Sequence, residues 1–539
     1  MTPSPSLWVL LAAGCTQQPA PPDGKPTVDS VPGSDSATDS GTTVPVEDDA
    51  DGDGTPRWDD CDDNDASIHP AAAEVPGDGV DQDCDCQDRE TLRATDADVV
   101  WQGDVPYDHA GGSLLEVVRD GSGPIGLMMG ADQSPPGEDA GFGRVAYWAL
   151  DAAVAILDGS APKTGPFTEA MGETGAAGPL GVDGEALLVV GRGYSDDAEG
   201  TASDPQNGNG NVDFYQVPAP GSIVPLDGVY ARLTGPYGAK CGSSIVVMDA
   251  DGDGVEDVMF ACNGSAIRGV YILLGPVGPG THSLGEAAWW IAETPNPDTD
   301  DAILGTYGQV IELSDAPNSG APLVAIRAYV EKYPLFLAGL DAFRTGTPIT
   351  TIPTRIDSPD GEVLIPRTAN DPNNDGVPDL LVGTPSSGGR SGGLAVVHGP
   401  VDGAVDIRFV TPAYVGTCAY DWFGASSVVG DFNGDGYPDL AVGAPADFYF
   451  SAPRVGKVFV FGGPGWDRAS RPPESADQIL AGDLAWDSFG ANLAAADIDQ
   501  DGFDDLFVSA PLDSRDVWEA GRVYRFRGSP EGLTGAPAP

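Results

Sequence analysis

Positive charge is scarce in this 539-residue chain: 26 Lys and Arg stand against 83 Asp and Glu, a formal net charge of −57 at pH 7. That balance excludes nucleic acid and anionic lipid surfaces as partners, because their phosphates would be repelled. Histidine is also rare. The four residues His69, His109, His282 and His398 fall in no recognisable catalytic pattern. There is no HExxH, no phosphate-cradling glycine loop, and "GSPEG" near the end lacks a nucleophile elbow. No apolar run reaches the ~18 residues that a spanning helix needs. What the chain does have is 41% hydrophobic residues with 74 Gly and 49 Pro. That composition is too apolar for disorder throughout and suits many short strands joined by turns.

The first residues, "MTPSPSLWVLLAAGC", hold a short apolar core from Leu7 to Ala13 that ends in Gly14-Cys15. The segment resembles a bacterial lipoprotein signal, with residues 1–14 removed and Cys15 acylated, although the expected basic residue at its start is missing. A plain secretory leader is the alternative, and either one sends the chain out of the cytoplasm. Residues 15–46 are dominated by Pro, Ser, Thr, Asp and Gly and read as a disordered tether. If Cys15 carries lipid, six of the seven cysteines remain: Cys61, Cys84, Cys86, Cys241, Cys262 and Cys418. An even number in an exported chain suggests disulfides.

An acidic nonapeptide then recurs. "DADGDGVED" covers Asp249–Asp257, "DPNNDGVPD" Asp371–Asp379, "DFNGDGYPD" Asp431–Asp439 and "DIDQDGFDD" Asp497–Asp505. Each is followed by an apolar run, and weaker copies begin at Asp120, Asp183 and Asp315. The steps between the seven anchors are 63, 66, 66, 56, 60 and 66 residues. The sixth unit shows the grammar best. "ASSVVGDF", "DLAVGAPA", "GKVFVFGG" and "QILAGD" read as four short strands, with the acidic loop between the first two. Four strands per repeat are what a β-propeller blade requires. "VVWQGDVP" ahead of the first unit reads as an unattached fourth strand, and the last unit stops at its third, "GRVYRFRG". The expectation is an all-β, seven-bladed ring over 97–535 whose seventh blade is completed by the N-terminal strand, leaving no open edge.

"FG" eight residues before the loop, at Phe423-Gly424 and Phe489-Gly490, and "GAP" or "SAP" after it resemble the FG-GAP repeat of integrin α-subunit propellers. Units one, two and four lack the full pattern and rest on spacing. In the third unit Cys241 takes the Phe position and Cys262 the Ala position, which the family brings together. The resemblance therefore implies a Cys241–Cys262 disulfide, against two buried free thiols.

Oxygen donors at alternating positions can converge on one hard ion. The expected ligands are Asp249, Asp251, Asp253, Asp257 and the Val255 carbonyl in the third unit, and Asp371, Asn373, Asp375, Asp379 and the Val377 carbonyl in the fifth. The sixth offers Asp431, Asn433, Asp435, Asp439 and the Tyr437 carbonyl, and the seventh Asp497, Asp499, Asp501, Asp505 and the Phe503 carbonyl. Without a cation, carboxylates this close repel one another. All-oxygen ligation selects Ca²⁺ over Zn²⁺ or copper, and Mg²⁺ is the lesser candidate. The bland alternative is four solvated Asp/Asn/Gly turns. The integrin resemblance implies a structural ion that pins hairpins at one face.

A second acidic segment, 47–88, holds sixteen acids and one Arg. "DADGDG", "DCDDNDASIHPAAAE" and "DGVDQDCD" within it look like the motif named for MopE-type copper-binding proteins. Its donors Asp49, Asp51, Asp53, Asp60, Asp62, Asp65, Asp81 and Asp83 are hard oxygens suited to calcium. Copper, the less favoured metal, would want imidazole, and only His69 is at hand. A segment this short needs staples, here calcium and a disulfide from Cys61 and Cys84. The pairing of Cys86 and Cys418 stays open.

The function expected from these features is that of a lipid-tethered, calcium-stabilised binding or adhesion module in the bacterial cell envelope. It would be an outer-membrane lipoprotein facing the cell surface or periplasm, touching the membrane through its lipid anchor only and taking an extracellular protein or glycan as ligand. Two rivals are a polysaccharide-active hydrolase or lyase working in the ring's channel and a copper-acquisition lipoprotein using His69. Trp289-Trp290 and Trp422 are candidate contact residues, with burial the commoner fate of Trp.

Overall fold

The computed structural model describes residues 50–53, scattered positions between 62 and 82, and most of 92–535. Outside the described residues lie 1–49, 132–142, 159–173, 193–208, 293–309, 314–322, 328–334, 340–346, 417–420, 447–454 and several shorter gaps. Among the described residues no helix is long and apolar enough to cross a membrane.

The strands form seven sheets, five of five strands and two of four. Each sheet is a blade built from consecutive antiparallel strands. Their first strands are Leu115–Asp120, Thr174–Gly178, Cys241–Met248, Val310–Leu313, Ile365–Asn370, Ser426–Gly430 and Leu493–Ala496. These inner strands touch their neighbours all the way round, the last contacting the first. Units one, two and four, which rested on spacing, form blades like the others.

Ring closure follows the expected route. The N-terminal strand Asp98–Gln102 pairs antiparallel with Arg522–Phe526 and becomes the fourth strand of blade 7. One feature was not visible in the pattern: five blades gain an outer strand, laid parallel, from the following turn of chain. In blade 6 this is Leu92–Arg93, set beside Leu480 and Ala481.

The core explains the sequence pattern. Seven apolar clusters lie among the described residues, one between each pair of neighbouring blades, blade 7 and blade 1 included. A blade sandwiched on both faces needs apolar side chains on both, so its central strands read as continuous runs. Leu187–Arg192, Asp439–Ala444 and Asp505–Ala510 are buried at every position. The alternation read in "GKVFVFGG" does not mark a solvent face, because Lys457–Phe461 is also buried throughout.

The FG and GAP glycines are where adjacent blades meet. A Cβ on Gly443 of blade 6 would lie 2.2 Å from the Gly490 carbonyl oxygen of blade 7. Gly383 of blade 5 stands to Gly424 of blade 6 in the same way, at 2.0 Å. Gly424 and Gly490 also hold φ near +85°, a region other residues enter at a cost. Beside them Phe423 and Phe489 are fully buried; Phe423 packs against Phe459, and Phe489 against Tyr524 and Phe526.

Candidate metal centres at one end of the ring

Each acidic loop joins the first strand of a blade to its second, so all four lie at the same end of the ring. In blade 6 the first acid organises the turn. Asp431 accepts the backbone N–H of Asp435 at 3.1 Å on Oδ1 and that of Gly436 at 2.9 Å on Oδ2. Asn433 Oδ1 accepts the same Asp435 N–H at 2.9 Å, and Asp435 Oδ1 accepts that of Tyr437 at 2.8 Å. Gly436, at φ 82°, turns the chain so that these side chains face inward. The ninth residue, Asp439, already belongs to the second strand. It is buried and holds the N–H groups of Phe432 (3.0 Å) and Gly463 (2.7 Å).

The other loops repeat this scheme. Asp249 accepts from Gly252, Asp253 and Gly254, Asp251 from Asp253, and Asp253 from Val255. Asp371 accepts from Asp375 and Gly376, Asn373 from Asp375, and Asp375 from Val377. Asp497 accepts from Asp501 and Gly502, and Asp501 from Phe503. Carboxylate oxygens of Asp249, Asp251 and Asp257 lie within 4.8 Å of one another, as do those of Asp497, Asp499 and Asp501.

The ninth-position acids share one electrostatic feature. Burial, reinforced by their acidic neighbours, pushes Asp257 and Asp439 up to about 6. Asp505 also rises to about 6 through burial, although Arg525 pulls against it. Asp379 is raised by burial too, less so because Gly399 N–H and His398 favour its charged form. A buried carboxylate that resists ionising beside other carboxylates is stabilised by a divalent cation.

The fit to such an ion differs between blades. In blades 3 and 6 no basic side chain among the described residues enters the loop. In blade 5 His398 Nδ1 lies 3.0 Å from Asp379 Oδ2 and 3.2 Å from Asn373 Nδ2, while Nε2 meets the Asp467 carbonyl of blade 6 at 2.9 Å. In blade 7 Arg525 contacts both Asp505 and Asp499. The loops of blades 6 and 7 are also joined, since Asp504 N–H donates to the Asp431 carbonyl (3.0 Å) and Asp504 Oδ2 accepts Asp431 N–H (2.9 Å). Sequence reading missed Arg525, His398 and Asp504. For Arg525 the available signal was a second arginine in the third strand Arg522–Phe526.

Of the N-terminal acids, Asp51, Asp53, Asp62 and Asp65 are described and make local turns. Asp51 accepts Asp53 N–H at 3.2 Å, Asp65 accepts Ser67 N–H at 3.1 Å, and Asn64 donates to Asp62. His69 N–H donates to the Gln82 carbonyl at 2.8 Å. Asp49, Asp60, Asp81, Asp83, Cys15, Cys61, Cys84, Cys86 and Cys418 lie outside the described residues. The Cys241–Cys262 disulfide is formed across the first two strands of blade 3.

At the opposite end of the ring, a small apolar hollow lies among blades 5, 6, 7 and 1. Ile365, Trp422, Pro445, Ser488 and Asn492 line it. Trp422 is buried there, and its indole N–H has no hydrogen-bond partner among the described residues. Trp486 and Trp518, in the connections before and after the first two strands of blade 7, are exposed.

Comparison with known proteins agrees with this anatomy. The FG-GAP repeat model matches residues 423–461 and 489–524, and a model described as "Putative metal-binding motif" (Cu-binding MopE) matches 60–90. The chain is similar to mouse integrin alpha-8, 28% identical over 165 residues, which is 30% of this chain and 14% of that protein. Human integrin alpha-7 is 34% identical over 156 residues (28% and 12%), and human integrin alpha-IIb 37% over 122 (22% and 11%). The chain thus spans well under a fifth of the length of these relatives. A lectin from Burkholderia pseudomallei, BP39L, aligns over 80% of this chain and 99% of its own at 14% identity and a TM-score of 0.41. The chain is therefore a seven-bladed β-propeller with FG-GAP repeats in its last two blades and a MopE-type metal-binding motif ahead of the ring.

Proposed function

We propose that this protein is a calcium-stabilised binding module, held outside the cell by a lipid on Cys15, that takes a protein or glycan ligand. The observation that carries the metal reading is the buried ninth-position acid of blades 3, 5 and 6. Asp257, Asp379 and Asp439 are raised by burial beside further acids, and a cation held by the loop oxygens would relieve that cost. In blade 6 the ion would be held by Asp431, Asn433, Asp435, Asp439 and the Tyr437 carbonyl. Its contribution is charge neutralisation that lets the first two strands dock; no reaction step is assigned to it. An affinity of ~10⁻⁴ to 10⁻³ M suffices outside the cell.

An FG-GAP propeller that resembles integrin α-subunits fits a binding module, and similarity to those proteins points to an extracellular or surface location. Ligand contact is placed at the end of the ring away from the acidic loops. There the hollow around Trp422 and the exposed Trp486 and Trp518 offer apolar area with polar handles, a composition suited to protein or glycan surfaces.

The experiment is thermal unfolding of the full chain in chelator, calcium and magnesium, followed by a glycan and protein binding screen in each. Calcium should raise the melting temperature more than magnesium, and Asp431→Asn should remove part of that rise. Identical melting in chelator and calcium would refute the metal reading. Ligand capture that survives changing Trp422, Trp486 and Trp518 together to Ala would refute the assignment of the face.

A further inference from the structure

Blade 7 departs from the other three loop-bearing blades at one position. The third-strand residue that faces the second residue after the ninth-position acid is Ile272 in blade 3, Val396 in blade 5 and Val460 in blade 6. In blade 7 it is Arg525, opposite Phe507. A guanidinium in a strand buried between two blades is costly unless it is paired. Arg525 is 1% exposed, and its partners are two of the four expected side-chain ligands. Its Nε donates to Asp505 Oδ2 at 2.9 Å, a terminal nitrogen lies 2.6 Å from the same oxygen, and that nitrogen also meets Asp499.

This changes what Asp505 does. In blades 3 and 6 the ninth-position acid uses Oδ2 to hold the N–H of the loop's second residue, Ala250 (2.9 Å) or Phe432 (3.0 Å). In blade 7 the Ile498 N–H bonds instead to the Ala496 carbonyl at 3.0 Å, and Arg525 takes Oδ2. The third and ninth ligands are thus bridged by a resident cation. A second guanidinium stands behind it: Arg527 approaches Asp499 at 3.7 Å while bonding Asp98 of the closing strand at 2.7 and 2.9 Å.

We infer that Arg525 is the built-in counter-ion of blade 7, standing where blades 3, 5 and 6 take a divalent cation, so that the loop from Asp497 to Asp505 forms without calcium. The physical logic lies in where this blade sits. Blade 7 takes its fourth strand from the distant N-terminal part of the chain, and its third strand, which carries Arg525, is the one that receives Asp98–Gln102. A loop neutralised by its own strand lets the ring close before any ion is bound. Blade 3 is the contrast. It also has Asp at all four side-chain ligand positions, but Ile272 stands in place of the arginine.

This inference rests on the calcium reading of the other loops, and the test separates the two. Calcium bound per full-length chain is measured by equilibrium dialysis at millimolar free calcium, alongside melting temperature in calcium and in chelator. Asp431→Asn in blade 6 should lose one ion relative to the parent, and Asp497→Asn in blade 7 should lose none. Arg525→Met should gain one ion, with a melting temperature that is depressed in chelator and recovered by calcium. A loss of one ion in Asp497→Asn, or a folded Arg525→Met with no extra ion, overturns the proposal. If the parent chain binds no calcium, the calcium reading fails by itself, and the gain in Arg525→Met still decides the role of the arginine. If Arg525→Met does not fold, the comparison of Asp497→Asn with Asp431→Asn decides.

Discussion

Replacing Gly443 by alanine should destabilise the ring far more than a one-carbon change on a strand normally does. Its Cβ would sit 2.2 Å from the Gly490 carbonyl oxygen of the next blade and 2.1 Å from Ser426 Oγ. Ordinary carbon–oxygen contact begins about 1 Å further out, so blades 6 and 7 must part by roughly that distance. Rotating Ser426 away gives no relief, because its hydroxyl donates to the same Gly490 carbonyl at 2.7 Å. Overpacking of this kind costs about 1–3 kcal/mol. Loss of a buried hydrogen bond adds about 1 kcal/mol. The expected total is on the order of 3 kcal/mol. Gly436→Ala is the control: its Cβ would meet nothing within 4 Å, and only its φ of 82° resists, for about 1–2 kcal/mol. Urea unfolding followed by tryptophan fluorescence, in chelator so that the loop ions play no part, compares the two. The midpoint of Gly443→Ala should fall well below that of Gly436→Ala. Equal midpoints, or a Gly443→Ala variant as stable as the parent, would refute the interlock of FG and GAP glycines.

Further outcomes follow from the same structure. In chelator, Asp257 and Asp439 titrate near 6 in the folded ring against 3.8 in the unfolded chain. The folded state therefore holds more protons between those values, and these acids make stability fall as pH rises from 4 to 6. The gap in melting temperature between calcium and chelator should widen across that window, and a gap independent of pH would contradict the burial argument. Opening the Cys241–Cys262 bridge, whose cysteines stand 21 residues apart, should cost about 3 kcal/mol of unfolded-state entropy; this is read as a lower urea midpoint for the double Cys→Ala variant. A chain beginning at residue 104 lacks the strand that covers blade 7 and should aggregate or bind hydrophobic dyes. A peptide of residues 92–103 added in trans should suppress both, and a truncated chain as soluble and stable as the parent would refute strand-mediated closure.

Much of this architecture could be read from one repeat and its phase. Near-constant spacing of the acidic anchors counted the blades, even where Asp120, Asp183 and Asp315 carry no full loop, because a blade is one hairpin pair of nearly fixed length. An orphan strand before the first unit and a missing one after the last required closure, since a sheet edge left unpaired between them would be costly. Cys241 and Cys262 could be paired because both stand in positions that the repeat sets side by side. Tertiary structure decided the rest, for reasons of geometry between units. The packing of Gly443 against Gly490 joins residues of different blades, and no pattern within one unit reports that distance. The outer strand Leu92–Arg93 pairs with chain almost four hundred residues away. Arg525 shows the division most clearly. In sequence it is one of two arginines in a short strand, and the loop beside it matches its three counterparts letter for letter in type. Only the fold, by burying that side chain within reach of Asp499 and Asp505, gives the four similar loops different electrostatics: sequence places the acids, but which charge neutralises them depends on what the folded strands bring close.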